Sequence, residues 1–593
     1  MKQNTCECKI MRLNELENSI EIPRFQRQLV WKKKDKKEFI DSIRKGFPIG
    51  TLLLYFNENI GKYELIDGLQ RFSTLLEFKS NRKDFYTKIP FENELTKLKE
   101  LYLDYNNKTM NEQEILEFNS YIYLTLKNCN SPMKYTKHCL DLIKSQNKCY
   151  CDEYMLSDIV SDIFQVLIDD IDVDLIDIPV LIYRGDRTNL PEIFEKLNSS
   201  GTKLTKYDIF AASWNKELIY IDDDEIINII YEKYKNLSEN TNLEISEEYS
   251  NLKKSKEINL YEYCYALSQV ILKQNKPFFS KIKNKEGIGF VILMYILGGN
   301  ISNLENLPNY IKLKDKYKIS KMLIDIKFLV KSLINEVFDI LDTYIKFNND
   351  YYFAIENQIV AILITYLRIN YNIINSESEF KITNKTNNNI LLNKFKIYMP
   401  FRYLYETIND EWKSGTISSL KKILSFDIVN SPYTNYIKKA DWENILRNWL
   451  DEEIKKESSR TISSKTKLFL IYLMKLNGYP ITIDYELEHI IPISRLRNNL
   501  TKGAFSATAN ICFLPKEDNR LKSNLTIYEY KYNKTSVFDY SNEKLENLFY
   551  PKEENLAFII NDNFTKEMYE NFLKHRNDDL ILKFKILYNI KTT

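Results

Sequence analysis

Hydrophobic positions recur with a helical period over most of this chain and with a strand period in a few short stretches. Within residues 32–45, Phe39, Ile40 and Ile43 share one face and the pattern stops at Gly46, which predicts an amphipathic helix with a glycine C-cap. Residues 51–56 and 62–66 are rich in β-formers and flank the turn-like Asn57-Glu-Asn-Ile-Gly61, predicting a hairpin. Asp67-Gly68 then leads into a helical pattern from Leu69 to about Lys79. Residues 81–170 read as a mostly helical insertion. Strand character returns at 177–183, followed by a helix around 190–197 and the polar turn Asn198-Ser-Ser-Gly201. A further helix is opened by Thr205-x-x-Asp208, a capping-box spacing with Asp in place of the usual Glu.

From 216 to 435 amphipathic helices alternate with Asn-, Lys- and Ser-rich loops, without a repeat of fixed period. The apolar run from 287 to 299 is too short for a bilayer and predicts a buried helix. Two more helices are expected in 440–475. Residues 480–530 change to short strands, a long polar loop and a helix, and the remainder reads as helical. The fold class expected is multidomain, mainly α with α/β parts: an α/β head over 1–215, a helical middle over 216–435 and a small mixed tail over 436–593.

Composition narrows this picture without redirecting it. The 593 residues exceed what one hydrophobic core supports. With 44% hydrophobic and 28% charged residues the chain matches no disordered class. Its 84 basic and 82 acidic residues leave +2, so contact with nucleic acid must come from local patches. Eight scattered cysteines and an N-terminus lacking the charged-then-apolar pattern of a signal peptide predict a reducing cytoplasm and no membrane partner.

The candidate chemistry lies in the tail. Of three histidines, His489 alone sits among suitable neighbours: Glu486-Leu-Glu-His-Ile-Ile-Pro492, then Asn510, then Asn519 nine residues on. Phosphodiester hydrolysis needs an activated water, charge compensation and help for the departing oxygen. An imidazole can serve as base, and a hard cation such as Mg²⁺ or Mn²⁺ on oxygen ligands supplies the rest. Glu488 and Asn519 are such ligands. Adjacent strand residues face opposite sides, so Glu488 and His489 can share a site only where the strand bends or ends, and Pro492 makes an end reasonable. Residues 495–522 carry Arg495, Arg497, Lys502, Lys516, Arg520 and Lys522 against Glu517 and Asp518, six minus two, or +4. From that cluster Arg495, Arg497, Lys502, Arg520 and Lys522 are candidate DNA phosphate contacts.

Acidic residue, histidine, asparagine and a second asparagine on a helix resemble an HNH, or His-Me finger, nuclease. The step from Asn510 to Asn519 followed by Arg-x-Lys-Ser resembles the HNH domain of CRISPR effector nucleases. The resemblance implies a ββα-metal tail in which Glu488 and Asn519 hold the metal and His489 activates water, with Asn510 placed in the catalytic set as a support for the fold or the histidine.

The head holds a second constellation. In Leu65-Ile-Asp-Gly-Leu-Gln-Arg71 a tight strand-to-helix turn presents unpaired N–H groups that favour phosphate, to which Arg71 adds a bidentate contact. Asp67 could hold a metal or a ribose hydroxyl. With Ile22-Pro-Arg-Phe-Gln-Arg27, Trp31 and residues 193–204, this stretch resembles the DGQQR-motif domain of the ParB/sulfiredoxin-like superfamily. That domain precedes HNH domains in GmrSD-like, modification-dependent (type IV) restriction systems and related anti-phage proteins. The resemblance implies a ParB-like head that binds a nucleotide triphosphate through Gln26, Arg27, Asp67, Gly68, Gln70 and Arg71, or senses modified phage DNA, or both. Leu69 stands where the motif has its first Gln, an apolar replacement that removes a polar contact and counts against hydrolysis more than against binding, and the chain has no Walker sequence.

Cys129, His138, Cys139, Cys149 and Cys151 match no common zinc spacing. The lysine run 32–37 reads as a solvated helix face. The function expected is a metal-dependent DNA endonuclease in anti-phage defence. Its rivals are a DNA- or nucleotide-binding regulator whose HNH fold does not cut, and an NTPase head with a DNA-binding tail.

Overall fold

A computed structural model describes residues 6–592 except 24–25, 27–28, 59–60, 86–92, 95, 101–110, 112, 115–131, 145–152, 169–170, 187–188, 191–192, 194–204, 215–217, 242, 246–250, 283–286, 387, 414–416, 457–460, 479–484, 534–540 and 560–562. The chain divides into two compact units. One contains residues 1–217 and 228–255, the other 218–227 and 256–593.

The first unit is built on a six-stranded mixed sheet. The expected hairpin forms between Leu52–Asn57 and Lys62–Asp67, antiparallel with Phe56 opposite Tyr63. The expected strand is Ile178–Tyr183, which runs parallel to Leu52–Asn57 and antiparallel to Cys6–Met11. Ile20–Ile22 joins parallel to Lys62–Asp67, and the two-residue strand Glu244–Ile245 closes the edge. That last strand lies beyond the expected boundary at 215, because it is too short to leave a periodic signal. Helix Lys33–Arg44 ends on Gly46 at φ +74°, as the glycine cap predicts. Helix Leu69–Ser80 buries Phe72, Leu75, Leu76 and Phe78. Thr205 and Asp208 form the expected reciprocal cap at the start of helix Lys206–Ser213. Of the helical insertion, Pro132–Lys144 and Glu153–Ile168 are described. The helix and turn expected over 190–201 lie largely outside the described residues, as do Cys129, Cys149, Cys151 and the side chain of Cys139.

The second unit is a helical assembly around the 30-residue helix Lys316–Ile345. Helix Ile288–Ile296 is buried along nearly its whole length, as the apolar run predicts. Gly289 allows close packing there, since a Cβ would fall 2.5 Å from Cys264 O. Among the described residues no helix is long and apolar enough to cross a membrane. The tail is not separate from the middle. Phe513 packs on Phe347 with ring centroids 5.4 Å apart, and Tyr588 of the C-terminal helix Lys566–Thr592 packs on Phe401 at 4.7 Å. Aromatic rings bury so much area that a small strand-and-helix motif gains its stability by leaning on the larger helical core.

Candidate active site

Strands Tyr485–His489 and Ile511–Pro515 pair antiparallel, with Glu488 opposite Cys512. Helix Lys516–Lys522 follows directly, giving the strand-strand-helix order read from the sequence. Pleating puts Glu486 and Glu488 on one face. Asn519, in the helix, closes on both: its Nδ2 donates to Glu486 Oε1 at 2.7 Å and to Glu488 Oε2 at 3.2 Å. Glu486 was missed in the sequence, although its i, i+2 spacing from Glu488 in a strand was the available signal.

The regular strand ends at His489, which lets its ring share the neighbourhood of Glu488. His489 is 7% exposed, with Nδ1 3.7 Å from Glu488 Oε1 and Nε2 3.1 Å from Ser506 Oγ. Ser506 lies in the loop between the strands, and nothing local in the sequence marks it. Burial pushes the Glu488 carboxyl up, but contact with His489 and the positive charge of Lys522 outweigh it, holding Glu488 below the ordinary carboxylate value. Lys522 is itself buried, which lowers its ammonium, and it donates to His489 O at 3.4 Å.

Asn510 is fully buried and its amide is spent on backbone. Nδ2 donates to Ile491 O at 3.1 Å and Phe505 O at 2.9 Å, and Oδ1 accepts from Ile491 N at 2.9 Å. Of its two expected roles the geometry supplies the first, support of the loop that carries Ser506. Two residues earlier, Thr508 donates its backbone N–H to Glu453 of helix Lys439–Lys455 at 3.0 Å, tying the same loop to the helical core. Replacing Asn510 with Ala leaves three buried backbone groups unpaired, at about 1–3 kcal/mol each. Asn510→Ala is expected to lower stability by at least about 3 kcal/mol, read from the urea midpoint of this unit, and an unchanged midpoint would refute the support role.

The expected phosphate contacts divide. Arg495 is buried, its Nη1 donating to both carboxylate oxygens of Glu529 at 2.8 and 2.7 Å and its Nη2 to Ile559 O. Lys522 is 1% exposed. Both leave the phosphate-contact set, because a cation consumed inside the core presents nothing to DNA. Arg497, Lys502 and Arg520 are exposed, together with Lys516.

Among the described residues no three His, Cys, Asp or Glu are grouped to hold a metal. The donor set here is two carboxylates and an amide. It fits a hard cation, since Asn519 exchanges nitrogen for oxygen on a half-turn of its amide. The Asn519 N–H group now satisfies the two carboxylates that a cation would neutralise.

In the first unit, Gly68 takes φ +100° between strand Lys62–Asp67 and helix Leu69–Ser80. A Cβ there would fall 2.3 Å from Leu52 Cδ2, so only glycine makes this turn. Gly50, at φ +83°, gives way to Arg71 in the same manner, with a Cβ meeting Nη1 at 2.4 Å. Arg71 pairs with Asp67 at 3.1 Å, both side chains partly exposed. Gln26 is buried and donates to Leu65 O at 2.7 Å. Gln70 is buried and accepts from Val30 N at 2.9 Å and Trp31 N at 3.1 Å. These two amides hold the entering segment against the turn, which leaves Asp67 and Arg71 partly exposed beside the buried Gly68. Leu69 packs in the core at 3% exposure, so its apolar side chain suits the position it occupies. Arg27 lies outside the described residues.

Residues 10–215 match the N-terminal domain of the GmrSD restriction endonuclease. No curated protein and no solved structure matches the chain. The GmrSD-type region spans the turn at Gly68, five of the six strands of the sheet in whole or part, and the capped helix Lys206–Ser213. The tail site lies outside it.

Proposed function

We propose that the protein is a divalent-metal-dependent DNA endonuclease of the modification-dependent restriction kind. It cuts with its HNH-like tail and senses a nucleotide or modified DNA with its GmrSD-type head. The observation that carries this reading is the convergence of Glu486, Glu488 and Asn519 beside the Nδ1 edge of His489. Glu488 and Asn519 hold Mg²⁺ or Mn²⁺, with Glu486 as a further oxygen donor on the same face. The bound ion would supply charge compensation at the scissile phosphate and help for the departing oxygen.

The chain's own groups do the rest. To act as base, His489 would carry its proton on Nε2, donating to Ser506 Oγ, and take a proton from water on Nδ1 once a cation neutralises the neighbouring Glu488. Asn510 and Glu453 hold the Ser506 loop in register. Arg497, Lys502 and Arg520 position the DNA backbone from the exposed rim. In the head, Asp67, Gly68 and Arg71 form the phosphate-facing turn, and Gln26 and Gln70 position it.

The test is cleavage of matched plasmid DNA with and without cytosine modification, with Mg²⁺ or Mn²⁺ and with EDTA. Cutting that stops in EDTA and returns with metal is expected. Undiminished cutting in EDTA refutes the metal, and DNA binding without cutting under every condition favours a regulator. For the head, Arg71→Ala should weaken ATP or GTP binding by roughly 10–100-fold, the value of a charge-assisted hydrogen bond pair. Calorimetry on the full chain reads this, and absence of binding to the wild type at millimolar nucleotide would leave the turn purely structural.

A further inference from the structure

A cavity of about 800 Å³ in the second unit belongs to neither the cutting site nor the head turn. It lies where the ends of helices Ile288–Ile296 and Glu356–Asn370 meet strand Tyr371–Asn375 and the turn Ile428–Asn430. Five aliphatic side chains and two tyrosines, Tyr295 and Tyr371, line it. Its charged groups are Arg368, Lys385 and Asp427, two cations to one carboxylate.

Tyr295 is half-buried, and its hydroxyl has no hydrogen-bond partner among the described residues. Burial pushes the phenol above its ordinary value against the charge of Arg368, so it stays protonated and can donate. A charged acceptor satisfies such a donor better than water does. Arg368 is held in place, with Nη1 donating to Leu424 O at 3.2 Å and Nη2 to Phe426 O at 2.8 Å. Those bonds use two of the five N–H groups of a guanidinium, and the side chain is partly exposed. Lys385 donates to Arg368 O at 2.7 Å, which brings its ammonium to the same helix end. Asp427 and Asn430 are exposed on the turn, and neither side chain has a hydrogen bond among the described residues. A carboxylate and an amide are groups that read the donor and acceptor edge of a base.

We propose that this cavity binds a nucleoside monophosphate, free or within a DNA strand. The phosphate accepts from the Tyr295 hydroxyl and the remaining N–H groups of Arg368, with Lys385 beside them. The base lies against the aliphatic wall, and Asp427 and Asn430 meet its edge.

Calorimetry on the full-length protein with dAMP, deoxyadenosine and inorganic phosphate tests this, with Arg71→Ala as background so that the head turn contributes little. Binding of dAMP is expected to be at least roughly tenfold tighter than that of either other probe, because the site meets both phosphate and base. Equal binding, or none, overturns the proposal. Tyr295→Phe in the same background removes a hydroxyl that no protein group uses. The urea midpoint of this unit should therefore hold while dAMP weakens by roughly tenfold. Unchanged dAMP affinity, or a midpoint that falls along with it, overturns the assignment. A single strand of deoxyadenylate lacking a terminal phosphate then separates the sources. Competition with dAMP identifies a nucleotide within DNA, and its absence identifies the free nucleotide. His489→Ala protein should give the same affinities, so failure of the nuclease reading leaves this result intact.

Discussion

His489→Ala protein should cut DNA roughly 10²–10⁴-fold more slowly than wild type while binding it with unchanged affinity. That range is the usual share of a positioned general base. His489 is hydrogen-bonded through Nε2 to Ser506 and turns Nδ1 toward Glu488, so the substitution removes the proton acceptor and leaves the two carboxylates and Asn519 in place. Binding should hold because exposed Arg497, Lys502 and Arg520 are untouched, and phosphate contacts dominate affinity. Ser506→Ala gives the graded version: the base remains but loses the partner of its Nε2, and a smaller loss in kcat at constant DNA affinity is expected. Binding lost in step with cutting would mark His489 as structural. Cutting at wild-type rate would sink the HNH-like reading, because His138 and His575 lie in no comparable setting.

The second large effect is on metal. Glu488→Ala and Asn519→Ala are each expected to lower cleavage by at least about 10³-fold, the several kcal/mol that a metal ion contributes to transition-state charge. Each should also weaken Mn²⁺ binding measured directly by calorimetry. Glu486→Ala should cost at least about 10–100-fold in Mn²⁺ affinity, no less than the loss of a group that only supports the ligands. The three side chains meet through the single amide of Asn519, so Asn519→Ala also leaves two carboxylates side by side without a neutralising donor. Its protein should therefore be less stable at neutral pH in metal-free buffer and regain part of that stability at low pH, where the carboxylates protonate. An Asn519→Ala protein that cuts at wild-type rate would overturn the metal assignment.

These expectations rest on residues read from the chain in different ways. Local pattern alone located the hairpin at 51–67, the glycine turn at Gly68, the capping box at Thr205 and the buried helix at 288–296, because each is decided by residues a few positions apart. It also located the strand-strand-helix order of the tail, with Glu488, His489 and Asn519 at its corners. What it left open was which neighbours those side chains would find. Glu486 joined the site because pleating and the helix crossing put two carboxylates under one amide. Ser506 joined because a loop pinned by Asn510 and Glu453 brings it back to His489. Arg495 and Lys522 left the phosphate rim because tertiary packing buried them, and a charge pattern in sequence says nothing of burial. Tyr295 became conspicuous for the same reason: whether a tyrosine is ordinary core or an unpaired donor in a cavity wall depends on its surroundings, and those are set by contacts distant in the chain. Backbone preferences and periodicity are local energies and can be read from a string of residues. Burial, pairing and the occupancy of a cavity are properties of the packed molecule, and only the tertiary structure decided them.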